Sequence, residues 1–300
     1  MAMAAFQRAR QFSDGEAVFG IGCTAALQTD RVRRGSDRCY VATQSLTLTE
    51  EYGLELAPTR DRESQEQACG ELVIRTIAEA FGLSVSTPPW RDGESLHVDR
   101  VHGEASWQTL HGGALASTNQ AIKRPGLVFP GAFNPLHQGH RQMIEVARSL
   151  VPGPVLLEIS AFNVDKPPLD YLEMRARAAG VAGEFPLTFT NAATFVEKSA
   201  LFNGAIFMVG SDTLERIGEP RYYQNSVPLR DLALSRLAAS DIQFLVFGRK
   251  TADRFIGLDE IEIPPVLRRL CQGVPEARFR VDISSSALRQ RALREPDGSP

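Results

Sequence analysis

From residue 127 onward, short apolar runs alternate with stretches of amphipathic character. The runs are Leu127–Ala132, Val155–Ala161, Leu187–Asn191, Ile206–Gly210, Phe244–Gly248 and Phe279–Ile283. Each is short enough for a strand and too short for a buried helix. Between most of them apolar positions recur at helical spacing, as in Met143, Ile144, Val146, Ala147 and Leu150. Strands alternating with helices in this way predict a doubly wound, Rossmann-like parallel α/β sheet. Its ligand is expected in a crevice beyond the carboxyl ends of the strands.

The first third has a different pattern. Ala17–Ala25 and Arg38–Leu48 read as strands, the second partly alternating and rich in β-branched residues. A charged turn containing Arg31, Arg33 and Arg34 lies between them. A helix is expected over Arg62–Gly82. Ser64 and Gln67 have capping-box spacing, Val73, Ile77, Ala80 and Phe81 form one apolar face, and Gly82 supplies a stop. A polar stretch over 117–126, ending in Pro125-Gly126, reads as a linker. The expectation is a smaller α/β domain over 1–118 and a larger one over 119–300.

Composition adds limits. Three hundred residues with 43% apolar content suffice for two cores. A net charge of −3 gives no basic footprint, so nucleic acid is not an expected partner. Cys23, Cys39, Cys69 and Cys271 are scattered and form no C-x-x-C pair. That argues against a structural zinc site or a disulfide framework and for a reducing compartment, with Cys23 expected as a small buried thiol. No apolar run reaches membrane-spanning length, and Met1–Ala9 lacks the long apolar core of an export signal. The expected location is cytoplasmic, with no membrane partner.

The most informative chemistry is Gly131-Ala132-Phe133-Asn134-Pro135-Leu136-His137-Gln138-Gly139-His140, between the first apolar run and a helical pattern. Two imidazoles three residues apart on a first helical turn project from one side. The free N–H groups and positive dipole end of that helix point the same way, which suits a polyphosphate. This G-x-F-N-P-x-H-x-G-H stretch resembles the signature of the nucleotidyltransferase superfamily, in the branch that makes NAD from nicotinamide mononucleotide (NMN) and ATP. The resemblance implies that His137 and His140 contact the ATP phosphates and stabilise the transition state, while Gly131, Ala132 and Phe133 shape the turn that admits the nucleotide.

Further segments join this resemblance. Asp282-Ile283-Ser284-Ser285-Ser286-Ala287-Leu288-Arg289 is similar to the I-S-S-T-x-x-R element of the same superfamily, with Ser286 in place of Thr. It implies phosphate contacts from Ser284, Ser285 and Arg289. Lys166, followed by Pro167 and Pro168, stands where a basic residue reaches a phosphate; a solvated loop lysine is the alternative. Gly210-Ser211-Asp212 resembles the G-x-D segment of NMN adenylyltransferases, with Asp212 holding the dinucleotide or serving only as a helix cap. Tyr223 falls where those enzymes stack an aromatic ring on the nicotinamide, with packing as the alternative. Arg249 is in register with an arginine near the nucleotide.

Residues 17–82, around Gly20-Ile21-Gly22-Cys23-Thr24-Ala25, look like part of a CinA-type domain, a family that includes NMN deamidases. Only a short segment precedes this stretch, which departs from that pattern and implies a truncated domain without deamidase activity.

The implied reaction joins AMP from ATP to NMN or nicotinate mononucleotide and releases pyrophosphate, in NAD biosynthesis. ATP is the co-substrate and Mg²⁺ arrives on it; no dedicated metal site is expected. Two alternatives stand beside it. One is transfer from ATP or CTP to another phosphorylated acceptor such as phosphopantetheine, and the other is a non-catalytic nucleotide-binding regulator. An incomplete edge in the first sheet points to self-association into a homo-oligomer.

Overall fold

The computed structural model describes residues 1–13, 17–31, 35–86, 90–119, 126–164, 166–250 and 254–280. The chain forms two units. The first comprises Met1–Ala114 with Asp165–Arg175, and the second Leu115–Val164 with Ala176–Pro300. Among the described residues, no helix is long and apolar enough to cross a membrane.

In the first unit, helix α1 (Ala2–Arg10) precedes strands β1 (Gly20–Ala26), β2 (Arg38–Gln44) and β3 (Leu48–Glu55). Helix α2 (Arg62–Ala80), strand β4 (Ser95–His102) and helix α3 (Ala105–His111) follow. The strands form an antiparallel sheet in the order β1-β2-β3-β4. The single strand expected over Arg38–Leu48 is in fact a hairpin. Ser45 Oγ accepts from the Thr47 and Leu48 N–H groups, at 3.2 and 3.0 Å, and turns the chain back.

Helix α2 also differs from expectation at its start and on its face. Its cap is Asp61, which accepts from the Ser64 N–H at 2.9 Å. The buried residues include Gln65, Ala68, Cys69, Leu72 and Thr76, whereas Phe81 is exposed. Polarity hid this face. Gln65 is buried because it accepts from Gln28 N–H and donates to Asp37 Oδ2, and Thr76 donates to the Leu72 carbonyl.

The second unit is built from β5 (Leu127–Pro130), α4 (Gln138–Leu150), β6 (Val155–Ser160), the part of α5 (Tyr171–Val181) from Ala176 onward, β7 (Leu187–Thr190), α6 (Phe195–Leu201) and β8 (Ile206–Gly210). It continues through α7 (Ser211–Gly218), a 3₁₀ turn (Pro220–Tyr223), α8 (Val227–Ala239) and β9 (Gln243–Phe247). A small ladder of β10 (Arg249–Lys250) with β11 (Phe255–Ile256), then α9 (Pro265–Arg268) and β12 (Cys271–Val274), completes it. The six-stranded sheet is parallel throughout, in the order β12-β9-β8-β5-β6-β7. The expected α/β fold with a doubly wound sheet is therefore present. From β5 the chain winds outward through β6 to β7, then returns to β8 on the other side of β5. The strand order reverses between β5 and β8, and this is the switch point at which such sheets bind ligands.

Five of the six expected strands in this unit match within a residue or two at their ends. The sixth does not. The edge strand is β12, whose Gln272 and Gly273 are exposed and give no apolar run. Phe279 lies in the described chain beyond it, buried edge-to-face on Phe247 with centroids 5.0 Å apart. Its apolar character comes from filling the core; residues 281–283 lie outside the described residues. The expected linker differs as well. Thr118 N–H donates to Phe189 O at 2.9 Å and Ser117 Oγ meets Thr188 Oγ1 at 2.8 Å, so Ser117–Asn119 runs along β7. Residues 120–125 lie outside the described residues.

The core of this unit contains a full ion pair. Lys198 Nζ lies 2.6 and 2.7 Å from the two oxygens of Glu158, with the side chains 4% and 0% exposed. The ammonium also donates to Ser160 Oγ and to the Ala192 carbonyl, and Thr190 donates to Glu158. Desolvating both charges is costly, and removing one partner strands the other. Lys198→Met should therefore destabilise the unit by about 3–5 kcal/mol in urea unfolding, with much of the loss recovered by adding Glu158→Gln. A double variant as unstable as the single one would show that the loss comes from packing.

Candidate active site

The loop between β5 and α4 is anchored at its first residue. Gly131 N–H donates to the Glu158 carbonyl at 2.9 Å, which continues the β5–β6 pairing one step past the strand. A side chain at Gly131 would collide with the Phe133 ring, whose nearest atom would lie 2.7 Å from a Cβ. Phe133 turns the chain with φ of 43° and buries its ring edge-to-face on Phe129, 5.2 Å between centroids. Ala132 is exposed, and its carbonyl accepts from Arg177 Nη1 at 3.3 Å.

The turn delivers both histidines to the start of α4. Their rings stack with centroids 3.7 Å apart and planes 22° from parallel. His140 packs against the edges or faces of Phe129 and Phe133, at 5.7 and 5.2 Å. Burial, then the neighbouring His137 and Arg141, push its pKa down to about 3. His140 is accordingly a neutral imidazole at physiological pH. Its Nδ1 accepts from the His137 N–H at 3.2 Å. The ring proton must then sit on Nε2, leaving a neutral N–H donor for a ligand. Burial and Arg141 also lower His137. Its Nδ1 is buried without a hydrogen-bond partner among the described residues, an orphaned polar atom at the mouth of a helix.

On the other side of the switch point, α7 starts directly at the end of β8. Gly210 is its N-cap, and a Cβ there would lie 2.6 Å from Asp212 Oδ1. The bare glycine lets the Asp212 carboxylate fold back over the strand end. Arg249, just beyond β9, reaches Asp212 with Nη1 3.9 Å from Oδ2. Both side chains are about half exposed or more, so the pair is weak and either partner can turn to a ligand. Ser211 Oγ donates to the Ile256 carbonyl and ties α7 to β11.

The remaining sequence candidates are placed as follows. Tyr223 is half-buried in the 3₁₀ turn and donates its hydroxyl to the Ile217 carbonyl at 3.0 Å; burial raises its pKa. Lys166 is exposed in the segment after β6 that belongs to the first unit. Ser284, Ser285 and Arg289 lie outside the described residues. The sequence reading missed Glu158 and Arg177, which hold the loop backbone from outside the motif. A single carboxylate in the apolar run Val155-Leu156-Leu157-Glu158-Ile159 was the available signal for the first. Among the described residues, no group of three or more His, Cys, Asp or Glu side chains is arranged to hold a metal.

A family model described as cytidylyltransferase-like matches residues 128–291, more than half of the chain. The match spans β5, the histidine turn, the Asp212–Arg249 pair and the segment with Ser284, Ser285 and Arg289. The chain belongs to this family, within the nucleotidyltransferase superfamily, and that membership supports a nucleotidyltransferase activity. No curated protein matches the chain.

The neutrality of His140 has a measurable consequence. Its pKa falls from an ordinary 6.5 in the unfolded chain to about 3 in the folded one. The uncharged ring thus adds stability above pH 6.5, and that contribution drains away as pH falls toward about 3. Between about pH 6 and about pH 4, the unfolding free energy of the His140→Asn variant should fall less steeply than that of the parent, by close to one proton. Equal slopes in urea titrations would mean that the folded chain protonates His140 normally.

Proposed function

From membership in the cytidylyltransferase-like family, we propose that this chain is an adenylyltransferase joining AMP from MgATP to NMN or nicotinate mononucleotide, with release of pyrophosphate. The observation that carries the reading is the placement of its two polar pairs. His137 and His140 follow β5, Asp212 follows β8, and these are the strands that flank the reversal of the sheet. A dinucleotide product spans that kind of crevice.

In the proposed reaction an acceptor phosphate oxygen attacks the α-phosphorus of ATP. The new P–O bond forms as the bond to the bridging α–β oxygen breaks, and pyrophosphate carries away the electron pair. Such transfers ask the protein for alignment and charge stabilisation more than for covalent chemistry. The first N–H groups of α4 and the Nε2–H of His140 are donors for the triphosphate. His137, with an unpaired ring nitrogen, gains a partner when the nucleotide enters. Asp212 is the proposed acceptor for hydroxyl or amide groups of the nucleotides, and Arg249 is freed toward phosphate when Asp212 turns. The segment with Ser284, Ser285 and Arg289 completes the phosphate contacts in this proposal, and Tyr223 packs near the pyridine ring. Mg²⁺ belongs to the substrate, bound by the triphosphate. The first unit is read as an accessory CinA-type domain, and the protein as cytoplasmic.

A second reading, transfer from CTP to a different phosphorylated acceptor, is favoured by the family's own description. Pyrophosphate release separates the two when NMN, nicotinate mononucleotide and phosphopantetheine are each offered with ATP or with CTP. Release from ATP with a pyridine mononucleotide is the expected outcome. Release only from CTP establishes the second reading. His137→Ala and His140→Ala should each lower kcat by about 10²–10³. Near-normal kcat in both variants would remove the histidine pair from the chemistry.

A further inference from the structure

Three of the four cysteines, distant in sequence, meet in the first unit. Cys23 is exposed on the edge strand β1, and Cys39 on β2 is fully buried. In the antiparallel register Cys39 faces Ala25 and Cys23 faces Val41, so the two thiols share one face on a diagonal. Their sulfurs are 3.8 Å apart. Cys69 comes from α2 into the same buried cluster as Cys39, together with Val41, Ala68 and Leu72. The expected small buried thiol at Cys23 is thus corrected. An edge strand leaves it open to solvent, while its neighbour leads inward.

We propose that this trio is an oxidation relay, in which a hydroperoxide reacts at Cys23 and the oxidising equivalent passes through Cys39 to form a buried Cys39–Cys69 disulfide. Each step balances. The Cys23 sulfur attacks a peroxide oxygen, an S–O bond forms, the O–O bond breaks, and water or an alcohol leaves. The Cys39 sulfur then attacks Cys23; an S–S bond forms, the S–O bond breaks and a second water leaves. Finally the Cys69 sulfur attacks Cys39, and the electron pair of the broken Cys23–Cys39 bond returns to Cys23, which takes up a proton. Two thiols are oxidised and one peroxide is reduced.

The electrostatics suit the last step. Hydrogen bonding from Cys39 holds the Cys69 thiol below its ordinary pKa despite burial, and Arg60 reinforces this. Cys39 is raised far above the ordinary range by the same hydrogen bond and by burial, which makes its attack on the oxidised Cys23 the slow step of the relay. The sulfur that attacks last is therefore the one more inclined to be a thiolate, and thiolates are the nucleophiles of exchange. The product would staple β2 to α2 in the middle of this core. Cys271, in the second unit, serves as an internal control. Its thiol is pushed up to about 12 by burial and donates to the Leu267 carbonyl.

The test treats the full chain with about one equivalent of hydrogen peroxide. Thiols are then counted under denaturing conditions, with intact-mass measurement and peptide mapping. The expected result is a loss of two thiols and two hydrogens, with a Cys39–Cys69 linkage and Cys271 unchanged. Cys23→Ser should slow this at least about tenfold, because the exposed entry is gone. Cys69→Ser should stop the relay at a Cys23–Cys39 linkage, and Cys271→Ser should change nothing. The proposal is overturned by retention of all four thiols, by oxygen added to Cys23 with Cys39 and Cys69 still free, or by unchanged kinetics in Cys23→Ser.

Discussion

A carboxylate with no solvent exposure sits two residues from the end of β6, and the geometry of the candidate site depends on it. Through its side chain, Glu158 binds Lys198 of α6 and Thr190 of β7. Its main-chain carbonyl takes the first N–H of the histidine turn. One residue therefore joins the packing of three elements to the starting point of the loop that carries the two histidines. A buried ion pair is a poor source of stability compared with apolar packing. What it offers here is definition. The Lys198 ammonium donates to groups at the ends of β6 and β7 and leaves those strand ends one arrangement that satisfies all of them.

Much of the site was legible because its instructions are local. A strand, a turn with glycine and proline, and a helix with two histidines on its first turn lie within residues 127–150, and the structure places all of them as their order demands. The parallel sheet was legible for a related reason. Strands buried on both faces read as continuous apolar runs. What escaped was whatever depended on a partner distant in sequence. The edge strand β12 has neighbours on one side only, so Cys271-Gln272-Gly273-Val274 carries no apolar run that would have announced it, while Phe279 beyond it fills the core beside Phe247. The buried face of α2 includes Gln65, whose polarity is satisfied by Gln28 and Asp37. Neither partner can be guessed from the helix alone.

The two units also differ in how polar groups enter their cores. In the first unit Tyr52, fully buried, donates into a cluster that holds Glu50, Glu79 and Arg100, with Arg100 also bound directly to both carboxylates. Arg75 closes it on the other side of Glu79. This cluster joins β3, β4 and α2 by charge, while the thiols join β1, β2 and α2 a short way off. Cys23 illustrates why burial of small residues is hard to read from sequence. Its type prefers the interior, and only the sheet order, with β1 at an edge, decides otherwise.

The neutral state of His140 bears on how such a site can favour a transition state over a bound nucleotide. A permanent cation would attract the triphosphate strongly before any bond has changed, and uniform attraction does not lower the barrier. In the proposed reaction a neutral N–H, fixed by stacking on His137 and by two phenylalanine rings, would bind the ground state more modestly. Its hydrogen bond would strengthen as negative charge gathers on the departing phosphate. The same stacking would be repulsive if both rings were protonated, and burial works against either charge. The aromatic packing that determines where His140 points also determines that it is uncharged. Position and protonation state therefore come from one set of contacts, the rings of Phe129, Phe133 and His137 around a single imidazole.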